Sequence, residues 1–316
     1  MQADTVLRDA EFFVPFLLEA FRNARAGGAP IPLAALGKDS RLAEAIRRLE
    51  AWDFSTPTGI AEGYDATDRD GRRVAPTAKE IADSVAATLY SVWRGQAIRA
   101  IVDATAERAG VQPPGDVEAL TALRHRIETF DRNQGVGASG LDFFVVPGIA
   151  NPPARRDYLL LRSLVRTLDL LAGDTFAPAF HRSTRQEDYR WGRLHRGILT
   201  HPLDGAFTVP PAFGVFPPPL GGLAGIPTDG GFQTVDSASH DGRAADANAF
   251  RFGSAPASRL VAEAGPGTVR AENALPGGES GIPGSPFYLN LLGRWLTNDT
   301  FPLLASPKAV GPARHR

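Results

Sequence analysis

Apolar residues at Val6, Phe12, Phe13, Phe16, Leu17, Ala20 and Phe21 recur at helical spacing, which predicts an amphipathic helix from Asp4 to Arg25 with Asp4 as its N-cap. Gly27 to Pro32 breaks that pattern. A second helix opens at Asp39 or Ser40 and runs through Leu42, Ile46 and Leu49 to Trp52-Asp53, which reads as a core tryptophan beside a capping aspartate. Thr56 to Val74 mixes glycine, aspartate and arginine and reads as an exposed loop. Thr77 with Glu80 then forms a capping box, and Ile81, Val85, Leu89, Val92, Trp93, Ala97, Ile98, Ile101 and Val102 predict a long helix with one buried face. Pro113-Pro114-Gly115 punctuates, Asp116 caps a helix through Leu120, Leu123 and Ile127, and Gly135 to Gly140 is a flexible connection. Ala154 to Ala172 is helical again, with Leu160, Leu161, Leu164, Leu168 and Leu171 on one face.

The pattern changes near His181. Glycine, proline and short strand-like runs take over: Ala206 to Val209, Phe232 to Val235, Phe250 to Phe252 and Arg259 to Ala262. A helical front (1–180) followed by a strand-rich back (181–316) predicts an α+β fold. The composition, with 43% hydrophobic and 22% charged residues in 316, suffices for a sizeable core. A net charge of -1 offers no broad attraction for nucleic acid or an anionic membrane surface, so neither is an expected partner. With Cys 0 there is no disulfide framework, thiolate metal site or cysteine nucleophile. The start, Gln2 to Asp9, lacks the basic and apolar regions of a signal peptide, and no apolar run approaches the roughly 20 residues of a membrane span.

Candidate chemistry is sparse. His195, His201 and Asp204 carry metal-ligand atoms, but not at the helical spacing of two ligands on one face; Trp191 and His195 read instead as packing and hydrogen-bonding beneath a sheet, with His201-Pro202 fixing a turn. A serine-hydrolase elbow is absent, since Ser280 stands in Gly-Glu-Ser-Gly-Ile and Ser139 in Gly-Ala-Ser-Gly-Leu. Asp229, ahead of Gly230-Gly231, is either an acid or base or, as the residue types favour, a turn residue. Near the end, Gly277-Gly278 precedes Glu279-Ser280-Gly281-Ile-Pro283-Gly-Ser285-Pro286-Phe-Tyr288 and, further on, Trp295. Ser285 followed by Pro286 predicts a helix start, and the glycine spacing matches neither nucleotide-binding fingerprint.

This last stretch resembles the C-terminal end of the penicillin acylase family of N-terminal nucleophile hydrolases, whose members read G-G-x-S-G-x-P-x-S-P-H-Y-x-D-Q before a tryptophan. Gly277, Gly278, Ser280, Gly281, Pro283, Ser285, Pro286, Tyr288 and Trp295 match, while Phe287, Asn290 and Leu291 replace the usual His, Asp and Gln. Tyr189-Arg-Trp191-Gly192-Arg-Leu-His195, His201-Pro202-Leu203 and Gly230-Gly231-Phe-Gln-Thr-Val235 follow the family's order, so the resemblance spans nearly the whole chain. It implies a four-layer αββα sandwich, the front half as its helical excursion and the back half returning strands to the sheets. It also implies an amidohydrolase that cleaves the linear amide of a small N-acyl substrate, whether a β-lactam, an acyl-homoserine lactone or another amide. The family's nucleophile is a serine exposed at a new N-terminus, with its own amine as base and an asparagine in the oxyanion site. No Ser-Asn dipeptide occurs here, and on this alignment nucleophile, oxyanion asparagine and calcium ligands all precede Met1. The resemblance therefore implies no catalytic residue and no cofactor in this chain, a partner in the upstream acylase portion (the α chain and the start of the β chain), and a periplasmic or secreted location. The alternative it leaves is a non-catalytic scaffold or binding subunit of the same fold.

Overall fold

Helices form where the apolar spacing places them, and several of their ends lie elsewhere. The computed structural model describes residues 3–199, 225–236, 238–252, 255–256, 258–266, 268–282, 284–304, 306 and 308–310. Helix α1, Arg8–Arg25, follows Leu7 with no side-chain cap. Asp4 makes a turn ahead of it: its Oδ1 accepts from the Val6 amide at 3.0 Å, and its carbonyl accepts from the Asp236 amide at 3.0 Å, tying the start of the chain to its back half. A short α2, Ile31–Leu36, occupies part of the expected break. Helix α3, Ser40–Glu50, is capped by Asp39, whose side chain accepts from the Arg41 amide. Helix α4, Ala78–Ile98, opens on the expected capping box, with Glu80 N donating to Thr77 Oγ1 and Thr77 N donating to Glu80 Oε2.

Helix α4 is buried on every side from Asp83 to Ile98, not on one face. Periodicity marks the large residues, but Ser84, Ala86, Ala87, Thr88, Ser91 and Gly95 between them also lie against protein. Small side chains allow this. Thr88 returns its hydroxyl to the Ser84 carbonyl, and a Cβ on Gly95 would come within 3.1 Å of the Arg243 Cα. The helix passes through a π turn at Arg99–Asp103 into α5, Ala104–Arg108. Helix α6, Asp116–Glu128, follows Gly115; Asp116 caps nothing, and accepts instead from the Gly242 amide and the Arg243 guanidinium. The short α7, Phe130–Asn133, precedes α8, Pro152–Leu171, which Asn151 caps through the Ala154 amide at 2.9 Å. Helix α8 packs on both α1 and α4, and two single-turn helices follow: α9, Ala177–Phe180, and α10, Trp191–Leu194.

The chain is a mixed α+β protein, and its described residues form two small sheets. In the first, β1 (Arg196–Gly197) lies between β2 (Ile226–Pro227, antiparallel) and β3 (Arg251–Phe252, parallel). The second is antiparallel, β4 (Val261–Gly265), β5 (Thr268–Asn273) and β6 (Phe301–Pro302), with the single-turn α11, Leu292–Leu296, beside it. The expected strand at Phe232 to Val235 is a turn, with Gln233 at φ +63, and Ala206 to Val209 lies outside the described residues. One large core runs from Leu7 to Phe250 and includes Phe13, Trp93, Leu164, Phe176 and Trp191. A second, small one holds Ile226, Ala274, Leu292, Trp295 and Leu296.

Candidate functional site

At the edge of the large core the back half folds around Trp191, a member of that core, and His195. Trp191 opens α10 and is fully buried, its Nε1 donating to the Gly230 carbonyl at 2.9 Å. One helical turn later the His195 ring stacks on the indole, centroids 4.7 Å apart and planes 10° from parallel; the Phe252 ring lies 4.7 Å from His195. His195 Nδ1 meets the Thr228 carbonyl and Nε2 the Ala238 carbonyl, both at 2.9 Å. The neutral ring can donate to only one of these carbonyls, and the other nitrogen faces a carbonyl oxygen in a fully buried site, with no open side for a metal. Gly192 is required by contact, since a Cβ there would lie 2.7 Å from the Thr58 Cβ. Gly230 is required by conformation, at φ +79, while the Gly231 amide donates to Thr234 Oγ1 at 3.0 Å.

Thr228 and Ala238 also line a cavity of about 20 Å³, together with Tyr64, Asp65, Asp229, Asp236 and Trp295 among others. The loop expected to be exposed is in part interior, with Thr56, Thr58, Asp65 and Asp68 buried. Asp65 takes the Thr58 amide and hydroxyl, both at 2.6 Å, and Asp68 takes the Asp65 and Val74 amides. Asp236 receives Arg259 Nη2 on both oxygens, at 3.1 and 3.0 Å. Asp229 is more than a turn residue: buried, it accepts from the Ala66 amide across the cavity at 2.5 Å. Burial pushes the Asp65 carboxyl up to about 6 against the pull of the Thr58 donors. Burial, then the neighbouring Asp65 and Asp236, drive Asp229 well above the carboxylate range.

The penicillin amidase family model matches residues 1–311. The chain belongs to this family. No curated protein matches it. The family is one of hydrolytic amidases, and the expected motifs can be placed on the structure of this chain. Trp191, Gly192, His195, Gly230 and Gly231 converge as described. His201 and Pro202 lie outside the described residues. The Gly277 to Tyr288 stretch does not join them: it is a largely exposed loop closed on itself, with Leu291 N donating to the Gly277 carbonyl and Ser280 N to the Phe287 carbonyl. Gly278 has no room for a side chain, since a Cβ would lie 2.1 Å from the Phe287 carbonyl oxygen; Gly281 meets no such neighbour. Ser285 and Pro286 start a turn, not a helix; Ser285 Oγ accepts from the Phe287 amide at 3.2 Å, and helix begins only at Leu292. Tyr288 packs on the small core, where Trp295 reaches the cavity and donates from Nε1 to the Pro256 carbonyl at 3.0 Å.

The residues that sequence reading missed are Asp65, Asp68, Asp236 and Arg259. Their one signal is two aspartates three apart in a loop that also carries Thr58, and it does not separate a buried loop from a solvated one. Among the described residues no three acidic or imidazole groups converge as a metal site.

The histidines make this centre acid-sensitive. Burial lowers His195 from 6.5 to about 4 despite the two carbonyls, and lowers His240 well below its usual value, aided by Arg94 and His195. At these two histidines the unfolded chain binds protons that the native chain refuses from about pH 6.5 downward, so their contribution to stability rises with pH across that window, opposed by the Asp65 and Asp229 carboxyls, which burial keeps protonated in the native chain. We expect the His195 share, read from urea titrations as the difference between the chain and His195→Gln, to fall between about pH 6.5 and pH 4 by up to roughly 1.4 kcal/mol per pH unit. The slope of stability with pH should be less positive in His195→Gln; an unchanged slope would remove His195 as a source.

Proposed function

We propose that this chain is the C-terminal part of the β chain of a penicillin acylase-like amidohydrolase, cleaving the linear amide of small N-acyl substrates through an N-terminal serine carried by a preceding segment. The carrying observation is the penicillin amidase match over residues 1–311. In this reading residues 1–180 are the helical segment and 181–316 complete an αββα sandwich. The α chain and the start of the β chain contribute the other strands, the oxyanion asparagine and any structural calcium, and the assembled enzyme works in the periplasm or outside the cell. Supporting it, β4 exposes all five of its residues, Val261 to Gly265, and pairs on one side only among the described strands. Trp191, His195 and the Gly277–Trp295 loop serve as scaffold. A scaffold-only subunit is the second reading, favoured by the large core from Leu7 to Phe250, which closes around α4 within this chain.

The test is hydrolysis of phenylacetyl and long-chain acyl amides by the purified chain, alone and co-expressed with the preceding acylase segment. We expect no turnover alone, and turnover on co-expression that a serine-directed sulfonyl fluoride abolishes. Turnover by the chain alone would overturn the placement of the nucleophile; none in either sample would favour the scaffold.

A further inference from the structure

The cavity beside His195 carries more carboxylate than cation. From the loop at 64–68 come Asp65 and Tyr64; behind them stand Asp68, Glu80, which raises Asp65, and Arg73, beside Asp68 and Tyr64. From the turn after Gly231 comes Asp236, and from the segment entering β4 comes Arg259. Trp295 and Asn298, at the end of α11, add no charge.

Arg259 is already committed. Its Nη2 holds both oxygens of Asp236, its Nη1 donates to the Trp295 carbonyl and Asn298 Oδ1, and its guanidinium lies 4.8 Å from the Trp295 ring centroid. Asp65 spends both oxygens on Thr58. Asp229, 9% exposed, has one backbone donor on Oδ2 and, among the described residues, none on Oδ1. The Thr228 hydroxyl, in a similarly buried residue of the same wall, also has no partner among the described residues. The space between them, about 20 Å³, fits one water. An ionised carboxylate there would lie largely out of solvent, attracted only by an Arg259 already bound to Asp236, whereas a neutral carboxyl gains an O–H to donate into the cavity.

We propose that Asp229 is kept as the neutral acid in the folded protein, and that its ionisation loosens the seat of the β4–β5–β6 sheet on the helical core. That seat is the wall Asp229 shares with Arg259 and Asn298: Arg259 reaches Asp236, and Asn298 Nδ2 donates to the Asp68 carbonyl at 3.1 Å. When Asp229 releases its proton to solvent, charge repulsion with Asp65 and Asp236 and entry of water act on these bonds first. The proposal is independent of the acylase reading, since it concerns attachment and not turnover.

The chain labelled with ¹³Cγ-aspartate should show, at pH 7, one carboxyl resonance at the neutral-acid position that is lost in Asp229→Asn. Amide exchange of β4 and β5, corrected for its intrinsic pH dependence, should show an opening constant that rises by up to about tenfold per pH unit above the ordinary aspartate value of about 4, levels off where Asp229 ionises in the folded protein, and loses this rise at and above neutrality in Asp229→Asn. All aspartate resonances at the ionised position would overturn the proposal. So would a tenfold slope surviving the substitution, or protection of the wild type by added sodium or calcium chloride that is lost in Asp229→Asn, which would mean a cation neutralises the site. Should Asp229→Asn fail to fold, the wild-type spectrum and its titration decide.

Discussion

Trp191→Ala should lower the unfolding free energy by about 3–5 kcal/mol, the range for removing a buried tryptophan. Three losses combine at this one position. The indole is fully buried in the large core; it stacks on His195; and its edge meets the Phe250 ring at 5.8 Å and 84°. Deleting it also strands the Gly230 carbonyl, which accepts its N–H, in a buried turn. Trp191→Phe separates the contributions: keeping most of the packing, it should lose about 1–2 kcal/mol for the unmade hydrogen bond and residual void. Urea titrations followed by far-ultraviolet circular dichroism measure both without relying on tryptophan emission. A loss under about 1 kcal/mol for Trp191→Ala would mean that the cavity collapses and that Trp191 does not organise the back half.

Arg259→Ala should cost a similar amount, about 3–5 kcal/mol, for a different reason: it leaves a buried carboxylate without its counter-charge. The side chains of Arg259 and Asp236 are 13% and 6% exposed, so solvent screens the pair weakly. Burial already raises Asp236 and Arg259 holds it down, so without the guanidinium Asp236 should take up a proton at moderately low pH. The loss should therefore be larger near pH 8 than near pH 5. Arg259→Ala combined with Asp236→Asn should recover part of it, because the orphaned charge is then gone. Additive losses in that cycle would show that Arg259 acts through its stacking on Trp295 and its bonds to Trp295 and Asn298, and not through the ion pair.

Much of the front half was legible because its signals are local. The Thr77–Glu80 capping box, the Asp39 cap, and the leucines of α8 each act within one or two helical turns, and each is found where expected. Misreadings fell where a residue has a distant partner that competes with the local choice. Asp4 and Asp116 have the chemistry of N-caps; Asp4 gives its carbonyl to Asp236 across the chain, and Asp116 gives its carboxylate to Gly242 and Arg243. Ser285-Pro286 has the composition of a helix start, but the loop is held by bonds between Gly277–Ser280 and Phe287–Leu291, leaving helix only from Leu292.

By itself the sequence determined the family, through ordered motifs from Trp191 to Trp295, and the α+β class, through a change of period near His181. It also anticipated Trp191 and His195 as a packed, hydrogen-bonded pair. Only the tertiary structure decided that Asp65, Asp229 and Asp236 share one cavity with Arg259, and that α4 is enclosed on all sides from Asp83 to Ile98. The physical reason is that burial and charge balance depend on what lies across space. An aspartate in a glycine-rich loop is the same in sequence whether water or another carboxylate faces it, and only the folded chain brings residues 65, 229, 236 and 259 together.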